Sequence, residues 1–147
     1  MRKIHHPNII NLVEVHETDN SIYMIFEHFN GGSLQDLFSS NIKFKKSQIS
    51  LIMQGIAKGL AYLHNLKIIH RDIKPHNILF VSDDDYSQPI ITDLCLATFE
   101  DEAEFIYSKC STPGYAAPEI LNFKPKFDFK YTCISDIFGF GAIFHKL

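Results

Sequence analysis

The stretch that decides the fold of this chain reads His70-Arg71-Asp72-Ile73-Lys74-Pro75-His76-Asn77. Two shorter motifs follow it in order, Asp93-Leu94-Cys95 and Ala117-Pro118-Glu119. Taken alone, a single Asp would more often cap a helix or a turn than take part in chemistry. Three motifs in this order, joined by patterned segments, instead predict a single functional site.

Composition and charge limit what that site can serve. The 147 residues are 46% hydrophobic and 13% aromatic, which suits one domain or one piece of a domain. The net charge is -3 and the basic residues are scattered, so no nucleic-acid partner is predicted. No apolar run approaches the roughly 18 residues that a bilayer span needs. Residues 1–7 contain no apolar signal core, so no membrane partner is predicted either.

Cysteines, histidines and clustered acids are the residues that could form disulfides or bind metal ions. Cys95, Cys110 and Cys133 are an odd number at wide spacings, which favours a reducing compartment, and we expect a soluble cytoplasmic protein. The histidines show no paired ligand spacing on one helix, which argues against zinc. The run 83–85 lacks the alternating ligands and the glycine of an EF-hand loop, so we expect a solvated turn there.

The first third of the chain alternates strand and turn signals. Residues 9–15 and 22–26 are β-branched and aromatic runs around the polar turn 17–21, which predicts an antiparallel hairpin. Asn30-Gly31-Gly32 ends the second strand, and Ser33 is the predicted N-cap of a short helix.

The rest of the chain is mainly helical in pattern. From Ser47, apolar residues recur at the spacing of an amphipathic helix that should end near residues 64–65. Short strands are predicted at 68–69, 78–81 and 89–92. We expect a mobile surface segment from Glu100 to Ser111. The apolar stretch from Ile134 to Leu147 predicts a buried helix.

The three motifs resemble those of eukaryotic-type protein kinases, whose catalytic loop H-R-D-x-x-x-x-N precedes D-F-G and A-P-E elements. The resemblance covers the chain essentially from end to end. It implies an α+β protein-kinase-like fold, present in part over residues 1–147. Residues 1–26 would be a remnant of the N-lobe and 27–32 the hinge. Residues 33–147 would form an incomplete, mainly α-helical C-lobe that is truncated in its central helix.

The resemblance also assigns catalytic roles. Phosphoryl transfer needs a carboxylate near the substrate hydroxyl, oxygen ligands for Mg2+ and positive charge against the phosphate. Asp72 would be the base, Lys74 would neutralise the γ-phosphate, and Asn77 and Asp93 would bind Mg2+. Thr112 would bridge Asp72 and Lys74, as it does in the serine/threonine branch.

Nucleotide-binding residues follow from the same resemblance, with ATP and Mg2+ as cofactors. The hinge residues Glu27 and Phe29 would pair with adenine, beside the gatekeeper Phe26. Asp136 would hold the catalytic-loop backbone. A set of apolar residues, including the proposed cofactor contact Leu79, would support adenine from below: Leu34, Ile78, Leu79, Phe80, Ile143 and Leu147.

Two segments indicate a subgroup and a regulatory partner. The acidic insertion 83–89 and the segment 110–119 resemble calcium/calmodulin-dependent and calcium-dependent kinases. Arg71 beside Asp72 resembles kinases switched by phosphorylation, and Ser108 occupies the matching slot for an upstream activating kinase. The alternative for Ser108 is an ordinary exposed loop serine.

Several departures from the family pattern leave other functions open. Cys95 stands where the family has Gly, and the glycine-rich loop and strand lysine are not in this chain, so we expect the isolated fragment to be inactive. His76 and Ser33 replace acids, which weakens any basic substrate consensus. A pseudokinase or scaffold module is the main alternative to a kinase acting on protein substrates. A small-molecule kinase is a third, although the Ala117-Pro118-Glu119 motif argues against it.

Overall fold

The computed structural model describes residues 4–83, 85–102, 111–122 and 132–147. In these residues the strands pair as three separate two-stranded sheets, and the α-helices all follow the second strand. The strands are β1 (Leu12–Thr18), β2 (Ser21–Phe26), β3 (Ile68–Ile69), β4 (Ile78–Ser82), β5 (Asp85–Ile91) and β6 (Thr98–Phe99). The helices are α1 (Leu34–Ser39), α2 (Lys46–Asn65), α3 (Pro118–Leu121) and α4 (Cys133–Lys146).

The predicted hairpin is present, but its boundaries differ from the prediction. Strand β1 begins at Leu12 and continues to Thr18, where it pairs with Ser21 across a two-residue turn. Ile9 belongs to another pairing, a parallel bridge to Ile91. Its neighbour Ile10 donates a backbone hydrogen bond of 2.9 Å to the Ile91 carbonyl. Residues 9–10 were therefore wrongly assigned to the hairpin, because a β-branched run does not reveal its pairing partner.

Helix α1 begins at the predicted N-cap. The Asp36 amide donates to the Ser33 hydroxyl over 3.2 Å, and the Asp36 carboxylate accepts from the Ser33 amide over 2.8 Å. This reciprocal pair satisfies two of the amides that a helix start leaves unpaired. Hydrogen bonds from the Ser33 side chain and backbone hold the pKa of Asp36 below its usual value.

Helix α2 contributes a buried apolar stripe to the core. Its predicted stripe is buried, with Ile52, Ile56 and Leu60 no more than 1% exposed. These residues pack with a cluster drawn from both halves of the chain: Leu34, Leu37, Ile73, Ile78, Phe80, Ile91 and Ile143. The core thus joins α1, α2, β4, β5 and α4 beneath the catalytic loop.

The acidic run between β4 and β5 matches the prediction only in part. Asp83 is exposed in a turn, as expected, and Asp84 lies outside the described residues. Asp85 is exposed but begins β5, which is longer than the predicted strand, and its carboxylate accepts from the Ser87 amide over 2.8 Å. The turn is thus shorter than the charge pattern indicated.

Helix α4 is present but is not buried on all sides. Asp136, Gly139 and Ile143 face the core, whereas four large apolar residues are 41–69% exposed. These are Ile134, Ile137, Phe138 and Phe144. The predicted burial thus holds for the side that faces the core, since composition records apolar character but not which neighbours a helix has. Among the described residues, no helix has both the length and the apolar character to cross a membrane.

Two glycines of α4 provide a matched pair for testing its packing. A methyl group on Gly139 would lie 2.6 Å from the Ile73 carbonyl oxygen, whereas one on Gly141 meets no described atom within 4 Å. In the full-length protein, we expect Gly139→Ala to lower the free energy of unfolding by about 1–3 kcal/mol through overpacking. Gly141→Ala should raise it by up to about 1 kcal/mol through helix propensity. Urea unfolding measures both, and equal effects would contradict the packing.

Candidate active site

Three side chains form a closed hydrogen-bonded triangle at the catalytic loop. The Lys74 ammonium lies 2.6 Å from Asp72 Oδ2 and donates to Thr112 Oγ1 over 2.9 Å. The Thr112 hydroxyl donates to Asp72 Oδ1 over 2.7 Å. Asp72 and Lys74 are near in sequence, but Thr112 comes from the segment that precedes α3. The structure therefore brings together these three predicted catalytic residues.

Asn77 completes this arrangement. It ends the helical turn Pro75–Asn77, and its side-chain amide donates to the Asp72 carbonyl at 2.8 Å and to Asp72 Oδ2 at 3.2 Å. The Thr92 amide donates to the Asn77 carbonyl over 2.9 Å. This bond ties the catalytic loop to the residue immediately before Asp93.

The surroundings keep Asp72 ionised. Burial alone would raise the pKa of its carboxyl group, but hydrogen bonds from Lys74, Thr112 and Asn77 and the charge of Lys74 together lower the pKa. A carboxylate is the form that can accept a proton from a substrate hydroxyl. The same contacts fix the orientation of the carboxylate, since both of its oxygens have donors.

Asp136 of α4 holds the loop from below, as predicted. Its carboxylate is 1% exposed and accepts from the His70 and Arg71 amides, each over 2.8 Å. Arg71 has φ of 70°, in the left-handed region that disfavours side chains. The two bonds from Asp136 stabilise that strained backbone, which turns the chain toward Asp72.

Two histidines support the loop from within the protein. His70 is fully buried and its ring lies 2.9 Å from the Thr92 carbonyl, so it is a packed residue as predicted. His64, in the last turn of α2, lies 2.9 Å from Asp136 Oδ2. The sequence analysis missed His64, and only its position at the predicted helix end could have drawn attention to it.

Asp93 and Asn77 offer the oxygen atoms that Mg2+ prefers. Asp93 is exposed and has φ of 59°, and its carboxylate accepts from the Cys95 amide over 3.4 Å. The described hydrogen bonds of the Asn77 side chain use its nitrogen, so its oxygen can face a cation. The two residues fit a Mg2+ ion that keeps other ligands from water or phosphate. Among the described residues, no group of three or more His, Cys, Asp or Glu side chains forms a further metal site.

Cys95 changes the surroundings of that carboxylate. A hydrogen bond to Asp93, partial burial and the charge of Asp93 all raise the pKa of the Cys95 thiol. The thiol is therefore protonated at neutral pH and can donate to the carboxylate. This side chain takes the place of a glycine in the family pattern, so Asp93 has a neighbour there that glycine would not provide.

The four predicted cofactor-binding residues are not gathered in one cavity of the described structure. Glu27 and Phe29 line a cavity of about 240 Å³ beside residues 5–7. Asp93 lines another, of about 440 Å³, together with Phe26 and Cys95. Leu79 lines neither cavity and forms a β-bridge with Ser33, next to the hinge segment. Its strand neighbours Ile78 and Phe80 point the other way into the core, following the alternation of β-strand side chains.

Ser108, the predicted phosphorylation site, lies outside the described residues. The strand before that segment is described: β6 pairs with β3, and Glu100 donates a 2.8 Å backbone bond to the Lys67 carbonyl. Arg71 is 4% exposed, and its Nε donates to the Leu96 carbonyl over 2.6 Å. Its guanidinium thus lies between the catalytic loop and the segment that leads toward Ser108.

Comparison with known proteins agrees with this geometry. The family model for the protein kinase domain matches residues 1–147. Serine/threonine-protein kinase H1 of Homo sapiens is 38% identical over 149 aligned residues, which cover 100% of this chain and 34% of that protein. Calcium/calmodulin-dependent protein kinase type 1 of Macrobrachium nipponense is 33% identical, with 100% and 41% covered. A probable myosin light chain kinase of Dictyostelium discoideum is 34% identical, with 100% and 47% covered.

The chain therefore belongs to the protein kinase family, and its α+β fold is part of a kinase domain. It spans between about a third and a half of the length of the curated relatives it matches. These relatives confirm the resemblance to the serine/threonine branch, and one of them carries the name of the calcium/calmodulin-dependent group.

Proposed function

We propose that the protein containing this chain is an ATP-dependent serine/threonine kinase that transfers the γ-phosphate to hydroxyl groups of protein substrates. The triangle of Asp72, Lys74 and Thr112 is the observation that carries the proposal. It places the Asp72 carboxylate, whose pKa is lowered, beside the Lys74 cation and the Thr112 hydroxyl. Transfer to an alcohol requires a group that accepts the proton and positive charge against the phosphate.

Each residue of the site would have its own role in phosphate transfer. Asp72 orients the substrate hydroxyl and accepts its proton, while Lys74 provides positive charge against the transferring phosphate. Asn77 and Asp93 would hold Mg2+, which supplies charge neutralisation on the phosphates when bound. The backbones of Glu27 and Phe29 would bind adenine, with Leu79 beneath it.

We propose the same domain division that the sequence predicted. Residues 1–26 would belong to the N-lobe, 27–32 to the hinge and 33–147 to the C-lobe. The backbone bonds of 3.1 Å from Gly31 to the Phe80 carbonyl and from Phe80 to the Gly32 carbonyl support a hinge that rests on β4.

Regulation and compartment form part of the proposal. An upstream kinase would act at Ser108, and the phosphate that it adds would pair with Arg71. A reducing, cytoplasmic setting suits Cys95 and Cys133, which are free thiols.

A phosphotransfer assay on the full-length protein tests the proposal. With radiolabelled ATP, Mg2+ and a peptide mixture that contains serine, threonine and tyrosine, we expect phosphoserine or phosphothreonine and no phosphotyrosine on acid hydrolysis. Labelling of tyrosine would contradict the serine/threonine assignment. Nucleotide binding without any transfer would instead support a pseudokinase, the alternative that the Cys95 thiol beside Asp93 favours.

A further inference from the structure

A lysine at the end of α4 is held beside the segment that carries Thr112. The Lys146 ammonium lies 5.0 Å from the centre of the Phe38 ring and 3.5 Å from the Tyr115 hydroxyl. A cation over an aromatic ring is attracted by the negative face of that ring. Phe38 and Tyr115 are half-buried, whereas Lys146 is exposed, so two anchored rings position a charge that remains open to solvent.

A chain of contacts links Lys146 to the proposed base. Its neighbour Tyr115 follows Thr112 in a tight turn, with a 3.0 Å bond from the Tyr115 amide to the Thr112 carbonyl. Residues joined by such a turn have Cα atoms within about 7 Å of each other. Thr112 in turn touches Asp72 at 2.7 Å, where the acceptor hydroxyl would be placed. A peptide with its hydroxyl at Asp72 would thus lie beside the segment 112–115, which Lys146 contacts at Tyr115.

The charges around this segment favour an anionic partner. In the described part of the chain, no carboxylate lies within ion-pair distance of Lys146. Asp36, on the same helix as Phe38, accepts hydrogen bonds from the Ser33 amide and hydroxyl at 2.8 and 2.6 Å. Asp72 is paired with Lys74. Within the described residues, the Lys146 ammonium is therefore exposed and is held by a ring and a hydroxyl group rather than by a carboxylate.

We propose that Lys146 selects substrates with an anionic side chain, either an acidic residue or a phosphorylated one, near the acceptor hydroxyl. This inference rests on the proposed kinase function. An extended peptide advances about 3.3 Å per residue, so the anionic side chain would lie a few residues from the acceptor. An exposed ion pair of this kind changes affinity by up to about fivefold.

Peptide kinetics on the full-length protein test this specificity. Four peptides share one acceptor serine and differ only at the flanking positions, which carry Asp, phosphoserine, Asn or Arg. We expect kcat/KM to be about threefold to fivefold higher for the Asp peptide than for the Asn peptide, and lowest for the Arg peptide. A larger gain for phosphoserine than for Asp would identify previously phosphorylated substrates as the preferred class, and equal gains would identify any anion.

Three variants separate Lys146 from general charge effects. Lys146→Met should remove the preference for Asp over Asn, and Lys146→Glu should reverse the order of the Asp and Arg peptides. The control Lys58→Glu makes the same charge change on the exposed surface of α2, beside His6, and should leave the order unchanged. An Arg preference in the wild type, or an Asp preference that survives in Lys146→Met, overturns the inference.

A binding measurement keeps the inference independent of turnover. Fluorescence anisotropy with the same peptides and full-length Asp72→Asn protein should show the same order of affinities, because the proposed contact does not involve the base. If the wild-type protein transfers no phosphate but the peptides still bind in this order, the proposed function alone is contradicted. Normal phosphotransfer without this order would contradict the role of Lys146 alone.

Discussion

Full-length protein carrying Asp72→Asn is expected to lose phosphotransfer by about 10³-fold while it still binds nucleotide. Asparagine has the shape of aspartate, so it can keep the contacts with Lys74 and Asn77 that organise the loop. It cannot accept the proton of the substrate hydroxyl, and it lacks the charge that pairs with Lys74. Nucleotide binding should persist, since the residues proposed to hold ATP and Mg2+ lie elsewhere.

Initial-rate kinetics and nucleotide titration of the same preparation measure these two properties. Asp83→Asn is the matched control, because it makes the same chemical change at an exposed turn and should leave both properties unchanged. Wild-type activity in Asp72→Asn would overturn the assignment of the base. Equal loss of activity in the Asp83 control would show that the effect is not specific to the catalytic loop.

Asp136→Ala should produce the largest loss of stability, about 3–5 kcal/mol in the free energy of unfolding. The change removes the acceptor for the His70 and Arg71 amides, which belong to buried residues. It also removes the partner of His64 at 2.9 Å. The strained backbone of Arg71 would lose its support, so the position of Asp72 should change as well.

Urea unfolding of the full-length protein measures this loss. Asp136→Asn retains one acceptor oxygen and should have an intermediate effect. Its free energy of unfolding can therefore be measured even where the Ala variant does not fold. Asp19→Ala, in the exposed turn of the hairpin, should change the unfolding free energy by less than about 0.5 kcal/mol. A loss below about 1 kcal/mol in Asp136→Ala would contradict the bracing role of this residue.

Elements with a strong local pattern could be predicted from sequence. The stripe of α2 and the N-cap at Ser33 were confirmed, because apolar periodicity and capping involve residues within a few positions of each other. The hairpin start and the length of β5 were wrong, since strand pairing depends on partners far along the chain. Which side of α4 is buried was not predicted, because apolar residues alone do not specify their neighbours.

The candidate site also contains some residues that the sequence predicted and some contacts that it did not. The resemblance carried by the ordered motifs assigned roles to Asp72, Lys74, Asn77, Asp93 and Thr112, and in the structure all of these except Asp93 contact one another. The support of Asp136 by His64 and the approach of Lys146 to Tyr115 were not predicted. No local pattern encodes either contact.

The three motifs, taken in their order along the chain, predicted the protein kinase family, which the comparison confirms over residues 1–147. They did so because phosphoryl transfer restricts the residue types that can serve it. Only the tertiary structure decided that His64 contacts Asp136 and that Lys146 contacts the Tyr115 hydroxyl. These two contacts join residues 72 and 31 positions apart, so they exist only after the core has packed.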